Sequence, residues 1–321
     1  MPLDQGAKRF LDRLAALNPP STLSLSVAER RTALQHMLEF AGVSPPIGAV
    51  EDRVLPGPAG QLRIRLYTPA DASTGLLPGL VYFHGGGLIA GNLDSHDGIC
   101  RLLCQASGCR VLAVDYRLAP EHRFPAAVTD SIDATVFIAA HAAQFGVDPT
   151  RLGVCGDSAG ATLAAVVAQG LAMAGNVTLA LQVLICPILD LSAKTASRHV
   201  FSAGYLIDES TLEHDLKHYL ASDTDAADPR VSPLRALSVE GLPPACIHTA
   251  EFDPVRDEGR LYGERLMRAG VQTRYTCHPG MIHLYYGMGK LMPYAATAWT
   301  LIGNDIRSML AAPSALRGLH Q

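Results

Sequence analysis

A chain of 321 residues has room for about two domains, or for one large α/β domain with an insertion, and 48% hydrophobic against 17% charged residues excludes a disordered chain. Lysine and arginine number 26 against 30 aspartates and glutamates, a formal net charge of −4 with no run of like charges, which argues against nucleic acid or a membrane surface as partner. Seven cysteines without a CxxC pair fit neither a disulfide framework nor a zinc site and read as reduced thiols. With no apolar leader after Met1, a cytoplasmic protein is expected.

Residues 1–48 carry no strand signal. Within them Leu34, Met37, Leu38 and Ala41 share one helix face, which ends near Gly42 and the Pro45-Pro46 pair. From about residue 50 onward, short β-rich runs alternate with helical patterns, the rhythm of a mostly parallel sheet flanked by helices. A strand over 62–67 alternates apolar and polar residues, whereas 79–83, 110–114, 152–155, 181–186 and 246–249 are apolar runs buried on both faces, followed by a last strand over 273–277. Helices are expected over 95–107, 126–143, 159–173, 257–269 and 294–311. The stretch 159–175 is short and interrupted by Thr162 and Gln169, which makes it a buried core helix rather than a membrane span. Residues 188–235 lack a clear strand and hold turn residues, as in 223–229. The expected division is an N-terminal cap segment over 1–48, a cap insertion over 188–235, and a sheet domain formed by 49–187 and 236–321. The two cap pieces would pack together over the C-terminal edge of the sheet, where open α/β sheets bind ligands.

The strongest local signal is Gly156-Asp157-Ser158-Ala159-Gly160, a GxSxG between an apolar strand and a small-residue helix. A turn that presents a serine at the sheet edge strains its backbone, and side chains two residues before and after it would collide; glycine avoids both collisions. The following helix points its positive end at the reacting centre. A bare GxSxG also arises by chance at ordinary Gly-rich turns. Upstream, His84-Gly85-Gly86-Gly87 follows the strand at 79–83, and three consecutive glycines are costly unless bare amides are needed there. Acyl transfer supplies that need, because preorganised N–H groups stabilise a developing oxyanion. The amides in question are those of this loop and of Ala159, the residue after the serine.

A serine hydroxyl needs a general base, and the base needs an orienting carboxylate. In this architecture the chain order is Ser, then Asp or Glu, then His. Of twelve histidines, His248, His278, His283 and His320 lie near or beyond the late strand; His248 sits inside it and His320 in the C-terminal tail. His283, after the loop-like Pro279-Gly280-Met281, and His278, nearer the strand, remain the candidate bases. For the acid, Asp253 lies just past the strand at 246–249. Asp257 suits the first turn of the next helix, and Glu251 is the main rival.

Four motifs together give the chain a family likeness over nearly its whole length: HGGG at His84–Gly87; DYRLAPEH at 115–122, continued by Phe124-Pro125-Ala126-Ala127; GDSAG at 156–160; and Asp253-Pro254-Val255-Arg256-Asp257-Glu258-Gly259 with Gly280-Met281-Ile282-His283 after it. The chain resembles the hormone-sensitive-lipase-like esterases, the GDSAG branch of family IV in the α/β-hydrolase superfamily. The resemblance implies an α/β-hydrolase fold, with a mostly parallel eight-stranded sheet and a helical cap. It also implies a triad of Ser158, Asp253 and His283, with oxyanion donors from Gly86, Gly87 and Ala159. His84, Gly85, Gly156, Asp157 and Gly160 complete the motifs.

The activity implied is that of a serine carboxylesterase acting on short- to medium-chain acyl esters through an acyl-enzyme on Ser158, its partner a small-molecule ester, with no organic cofactor and no metal. Activity should fall as His283 becomes protonated. A homodimer through 273–311 is a further family-based expectation. Two departures are small: Ala161-Thr162 stands where many relatives have Gly-Asn, and Leu284-Tyr285 where many have Gly-Phe, so these two bulkier residues are expected to narrow the pocket. Arg117 and Glu121 are expected to hold the loops behind the site. The rival readings are a non-catalytic small-molecule receptor on the same fold, and an amidase or lactonase with the same triad.

Overall fold

The computed structural model describes residues 1–42, 44–72, 75–221, 226 and 228–311. The apolar runs form β3 (Leu77–Phe83), β4 (Arg110–Val114), β5 (Val147–Asp157), β6 (Leu181–Ile185), β7 (Ala245–Phe252) and β8 (Thr273–Ile282). These six pair in parallel, while β1 (Ala49–Gly57) and β2 (Gly60–Thr68) join antiparallel at one edge, giving a single sheet in the order β1-β2-β4-β3-β5-β6-β7-β8. The central strands carry Val, Leu, Ile and Tyr that are fully buried, as strands covered on both faces require.

The helices that cover the sheet follow the expected sequence. They are α3 (Asp97–Ser107), which packs on α9 (Tyr294–Leu310); α4 (Ala126–Ala140), which packs on α5 (Ala159–Ala174); and α8 (Arg256–Arg268), which lies on β7 and β8. The small-residue helix α5 is buried along almost all of its length against β3, β5 and β6. No helix among the described residues is long and apolar enough to cross a membrane.

Three elements depart from expectation. β1 went unread because its sequence, Ala-Val-Glu-Asp-Arg-Val-Leu-Pro-Gly, is charged and contains proline. It is an edge strand with only Leu55 buried, so its stability comes from pairing with β2 rather than from its own burial. The helix α1 (Gln5–Leu17) buries only Gly6 and Ala7 and starts from an Asp4 cap that accepts from the amides of both. β8 runs on through Pro279-Gly280-Met281, which had read as a loop. At this edge of the sheet the proline removes no needed hydrogen bond, and Gly280 takes a left-handed φ of 74°.

The N-terminal segment and the insertion touch each other. The insertion contributes α6 (Ala196–Val200) and α7 (Glu209–Tyr219), and α7 faces α2 (Val27–Leu38) and the turn before it. Arg30 of α2 pairs with Asp215 of α7, Thr22 Oγ1 lies 3.1 Å from Thr211 Oγ1, and His214 Nε2 lies 3.1 Å from the Leu25 carbonyl. Arg31 ties α2 to the sheet domain through Glu121 and the carbonyls of Ile89 and Ala119. Arg117 clamps Asp130 of α4. Arg117 and Glu121 of the DYRLAPEH segment thus act as braces. Most of the turn-rich stretch at 223–229, and His320, lie outside the described residues.

Four buried histidines set an acid limit on this fold. Burial pushes His84, His96, His248 and His278 down to about 3. The unfolded chain binds these protons at about 6.5, so stability is fully present above that pH and is lost progressively as pH falls from there towards about 3. The loss should be on the order of 1 kcal/mol per histidine by about pH 5.5. Urea unfolding at a series of pH values measures it; a midpoint that holds constant down to about pH 4.5 would contradict the assignment.

Candidate active site

The nucleophile elbow is visible in its backbone. Ser158 stands between the end of β5 and the start of α5 with φ 52° and ψ −124°, a conformation that a side chain rarely tolerates. Its amide donates to the Ile185 carbonyl at 2.8 Å, which anchors the turn to β6. A Cβ at Gly156 would lie 2.2 Å from the Gly160 carbonyl oxygen, and one at Gly160 would lie 2.1 Å from the Phe83 carbonyl oxygen. Both clashes are with backbone, so the two glycines are steric requirements of the turn.

The structure brings Ser158, Asp253 and His283 together. His283 Nε2 lies 2.9 Å from Ser158 Oγ, and its Nδ1 lies 2.7 Å from Asp253 Oδ2. Asp253 directly follows β7 and is fully buried, its other oxygen accepting from the Val255 amide at 3.0 Å. His283 directly follows β8 and is itself buried. The rivals face elsewhere. Glu251 accepts from the Gly280 amide and the Met1 amino group. His278 lies 3.1 Å from His248 Nδ1 inside the sheet, and Asp257 holds Ser197 at the start of α8.

The HGGG loop is held by two motif residues, Asp157 and Tyr116, and by Tyr82, His96 and Tyr286, which the motifs did not single out for this part. The Gly85 amide donates to Asp157 Oδ1 at 3.0 Å, and the Tyr82 hydroxyl donates to the same oxygen. The Tyr286 hydroxyl donates to Asp157 Oδ2 at 2.9 Å, and His96 Nε2 lies 3.8 Å from that oxygen. Burial raises the Asp157 carboxyl above the ordinary carboxylate range, opposed by the Tyr82 and Tyr286 hydroxyls. Tyr116 stacks on His84 at 4.3 Å and donates to its carbonyl at 2.7 Å. Gly86 and Gly87 adopt φ 117° and 67°, so the loop is bare backbone beside the serine. The Asp157 of GDSAG is therefore the bracket between the elbow and the glycine loop, a role the motif alone does not reveal.

Cys186 also went unread as a neighbour of the site. Its sulfur, the Asp253 carboxylate and the His283 imidazole lie within 4.8 Å of one another. Burial, with Asp253 adding to it, pushes the thiol well above its ordinary value. A neutral thiol beside an engaged carboxylate–imidazole pair is a packing neighbour, not a prepared metal ligand.

Two small cavities lie beside the glycine loop, and Ser158 lines the first of them. One, about 40 Å³, is lined by Gly86, Gly87, Ser158, His283, Leu284 and cap residues that include Met37 and Leu206. The other, about 30 Å³, lies beyond Gly87 and Ala159 and is closed by Ile188, Leu212, Leu216 and Tyr219. Leu284 narrows the first as expected. Tyr285 lines neither; it is buried against His278 and Tyr286 because the chain turns away after Leu284, whose φ is 65°.

A parallel sheet that presents a strained serine, an imidazole and a carboxylate in line beside a glycine loop is the arrangement of a serine hydrolase. A family model described as the α/β-hydrolase fold matches residues 80–287. The chain is 46% identical to the carboxylic ester hydrolase LipN of Mycobacterium tuberculosis over 70% of its own length and 62% of LipN's, so it spans less than two thirds of that relative. It is 39% identical to the ethyl acetate hydrolase of Pseudomonas putida over 78% of its length and 79% of that protein's. Among solved structures, the ester hydrolase EH1AB1 from the metagenome of Lake Arreo, complexed with a derivative of bipyridine phosphonate, superposes with a TM-score of 0.93 at 39% identity. That match covers 97% of this chain and 100% of that one. The chain belongs to the α/β-hydrolase family, in its hormone-sensitive-lipase-like branch, and is a serine carboxylesterase.

Proposed function

We propose that the protein hydrolyses short-chain acyl esters by a two-step acyl transfer on Ser158. Ser158 Oγ attacks the ester carbonyl while His283 Nε2 takes its proton. Asp253 holds the imidazole by its Nδ1–H and stabilises the cation that forms, and the amides of Gly86, Gly87 and Ala159 receive the oxyanion. His283 then protonates the departing alcohol, and water repeats the sequence on the acyl-enzyme. The carrying observation is the continuous Asp253–His283–Ser158 relay, at 2.7 and 2.9 Å. Residues 1–48 and 188–235 act as the cap that roofs this centre, with 49–187 and 236–321 as the catalytic domain.

The short-chain preference rests on the inner cavity. At about 30 Å³, closed by Leu216 and Tyr219, it has room for only about two or three water-sized groups beyond the carbonyl. The similar ethyl acetate hydrolase of Pseudomonas putida, named for an ester with a two-carbon acyl group, supports that limit. The test is steady-state hydrolysis of a p-nitrophenyl ester series from acetate to palmitate. The expected profile peaks at acetate to butyrate and falls by more than about tenfold in kcat/KM at octanoate, since lengthening past the closed end meets packed side chains. A peak at decanoate or beyond would sink the chain-length reading. A folded protein that turns over none of the series would instead favour a receptor or a non-ester substrate. For the homodimer through residues 273–311, light scattering over a concentration series is the check.

A further inference from the structure

Asp215 of α7 forms part of the wall of both cavities. Side chains around an acyl group are expected to be apolar, yet this wall carries a buried ion pair. Arg30 Nη2 donates to Asp215 Oδ2 at 3.1 Å and Arg30 Nε donates to Asp215 Oδ1 at 3.3 Å, each residue being 8% exposed. His214 Nδ1 lies 3.3 Å from the same Oδ1.

The carboxylate rests on the glycine loop. A Cβ at Gly87 would fall 1.8 Å from Asp215 Oδ2. A negative charge packed against the Gly87 backbone opposes the oxyanion that the Gly87 amide is assigned to receive, and in a buried pocket the repulsion is weakly screened. A buried ion pair is weak evidence of a stability device, because desolvation offsets most of its attraction. Its placement against the oxyanion loop gives Arg30 a different part to play.

We propose that Arg30, acting through Asp215, cancels the carboxylate charge at the oxyanion loop, so that the docked cap completes the electrostatics of the oxyanion site. Arg30 is thus a positioning residue for the transition state. Because it stands on the N-terminal segment and Asp215 on the insertion, the cancellation exists only while the two cap pieces are docked on each other. The inference rests on the assignment of the Gly87 amide under the proposed function.

The test is a substitution series read in kcat and KM on a p-nitrophenyl short-chain ester, with melting temperatures to establish folding. Arg30→Met should lower kcat by about 10- to 100-fold with KM changed less than about threefold, because the bare carboxylate opposes the oxyanion and not the neutral ester. Adding Asp215→Asn to that variant removes the offending charge and should recover about tenfold or more in kcat. Arg30→Lys keeps the charge and should stay within about threefold of wild type, despite losing the fork geometry. A merely structural pair predicts either a double variant as impaired as the single one or a kcat that simply follows the melting temperature through the whole series. Either result, or a loss carried by KM alone, overturns the inference. If Arg30→Met is not recovered folded, Arg30→Gln with and without Asp215→Asn gives the same reading with a smaller packing change. Loss of turnover in Ser158→Ala beside a flat Arg30 series counts against this inference alone. Turnover retained by Ser158→Ala removes the reading on which it rests.

Discussion

Ser158→Ala should reduce turnover of the best short-chain ester by on the order of 10⁴- to 10⁶-fold, with the fold intact. The hydroxyl is the proposed reacting oxygen and lies 2.9 Å from His283 Nε2, so no acyl-enzyme is expected to form without it. What persists is the residual catalysis of the oxyanion amides and of binding, so water attacks a polarised ester slowly and no burst of alcohol precedes the steady state. Pre-steady-state release of p-nitrophenol from wild type and variant measures both. A variant that keeps more than about a hundredth of wild-type kcat would remove Ser158 from the mechanism. The backbone adds a second readout. With φ at 52°, the position stores strain that alanine keeps and glycine releases, so Ser158→Gly should be equally inactive but about 1 kcal/mol more stable than Ser158→Ala.

Gly160→Ala should damage stability and activity together. The added methyl would sit 2.1 Å from the Phe83 carbonyl oxygen and 2.5 Å from that of His84, both of them backbone. Either α5 withdraws from the sheet or the end of β3 moves. Overpacking of this kind costs about 1–3 kcal/mol, which at about 2–4 °C per kcal/mol lowers the melting temperature by roughly 2–12 °C. The end of β3 leads directly into His84-Gly85-Gly86-Gly87, so its movement also displaces the amides proposed to receive the oxyanion, and kcat should fall by about 100-fold, the scale of losing one donor. A variant that melts with wild type and keeps its kcat would show that the elbow and the glycine loop do not share the close contact seen here.

The two experiments probe different links of one chain of causes. Ser158 tests the reacting atom, and Gly160 tests the packing that aims it. The Arg30 series tests whether charge in the cap reaches the same oxyanion.

Much of this was legible from residue order. The central strands, the helices between them and the GxSxG turn follow from local rules: apolar runs of strand length, helical periodicity, and glycines where a side chain would collide. The triad members needed chain order and family likeness besides, because nothing local separates His283 from His278, or Asp253 from Glu251. In space His283 and Asp253 lie in line with Ser158. His278 points at His248 within the sheet, and Glu251 is occupied by the Gly280 amide and the N-terminus.

What sequence by itself determined is therefore the class of element along the central sheet and its covering helices, and the motifs that carry the candidate reacting groups. Short-range sterics and hydrogen-bonding demands act within a few residues and are written in order along the chain. The tertiary structure alone decided that Asp157 brackets the Gly85 amide from 72 residues away, and that a charged, proline-bearing segment becomes strand β1 by pairing with β2. It alone decided that Arg30 meets Asp215 across 185 residues beside Gly87. Each of these depends on which surfaces the topology brings into contact, and contact between distant segments leaves no periodicity in the sequence of either one.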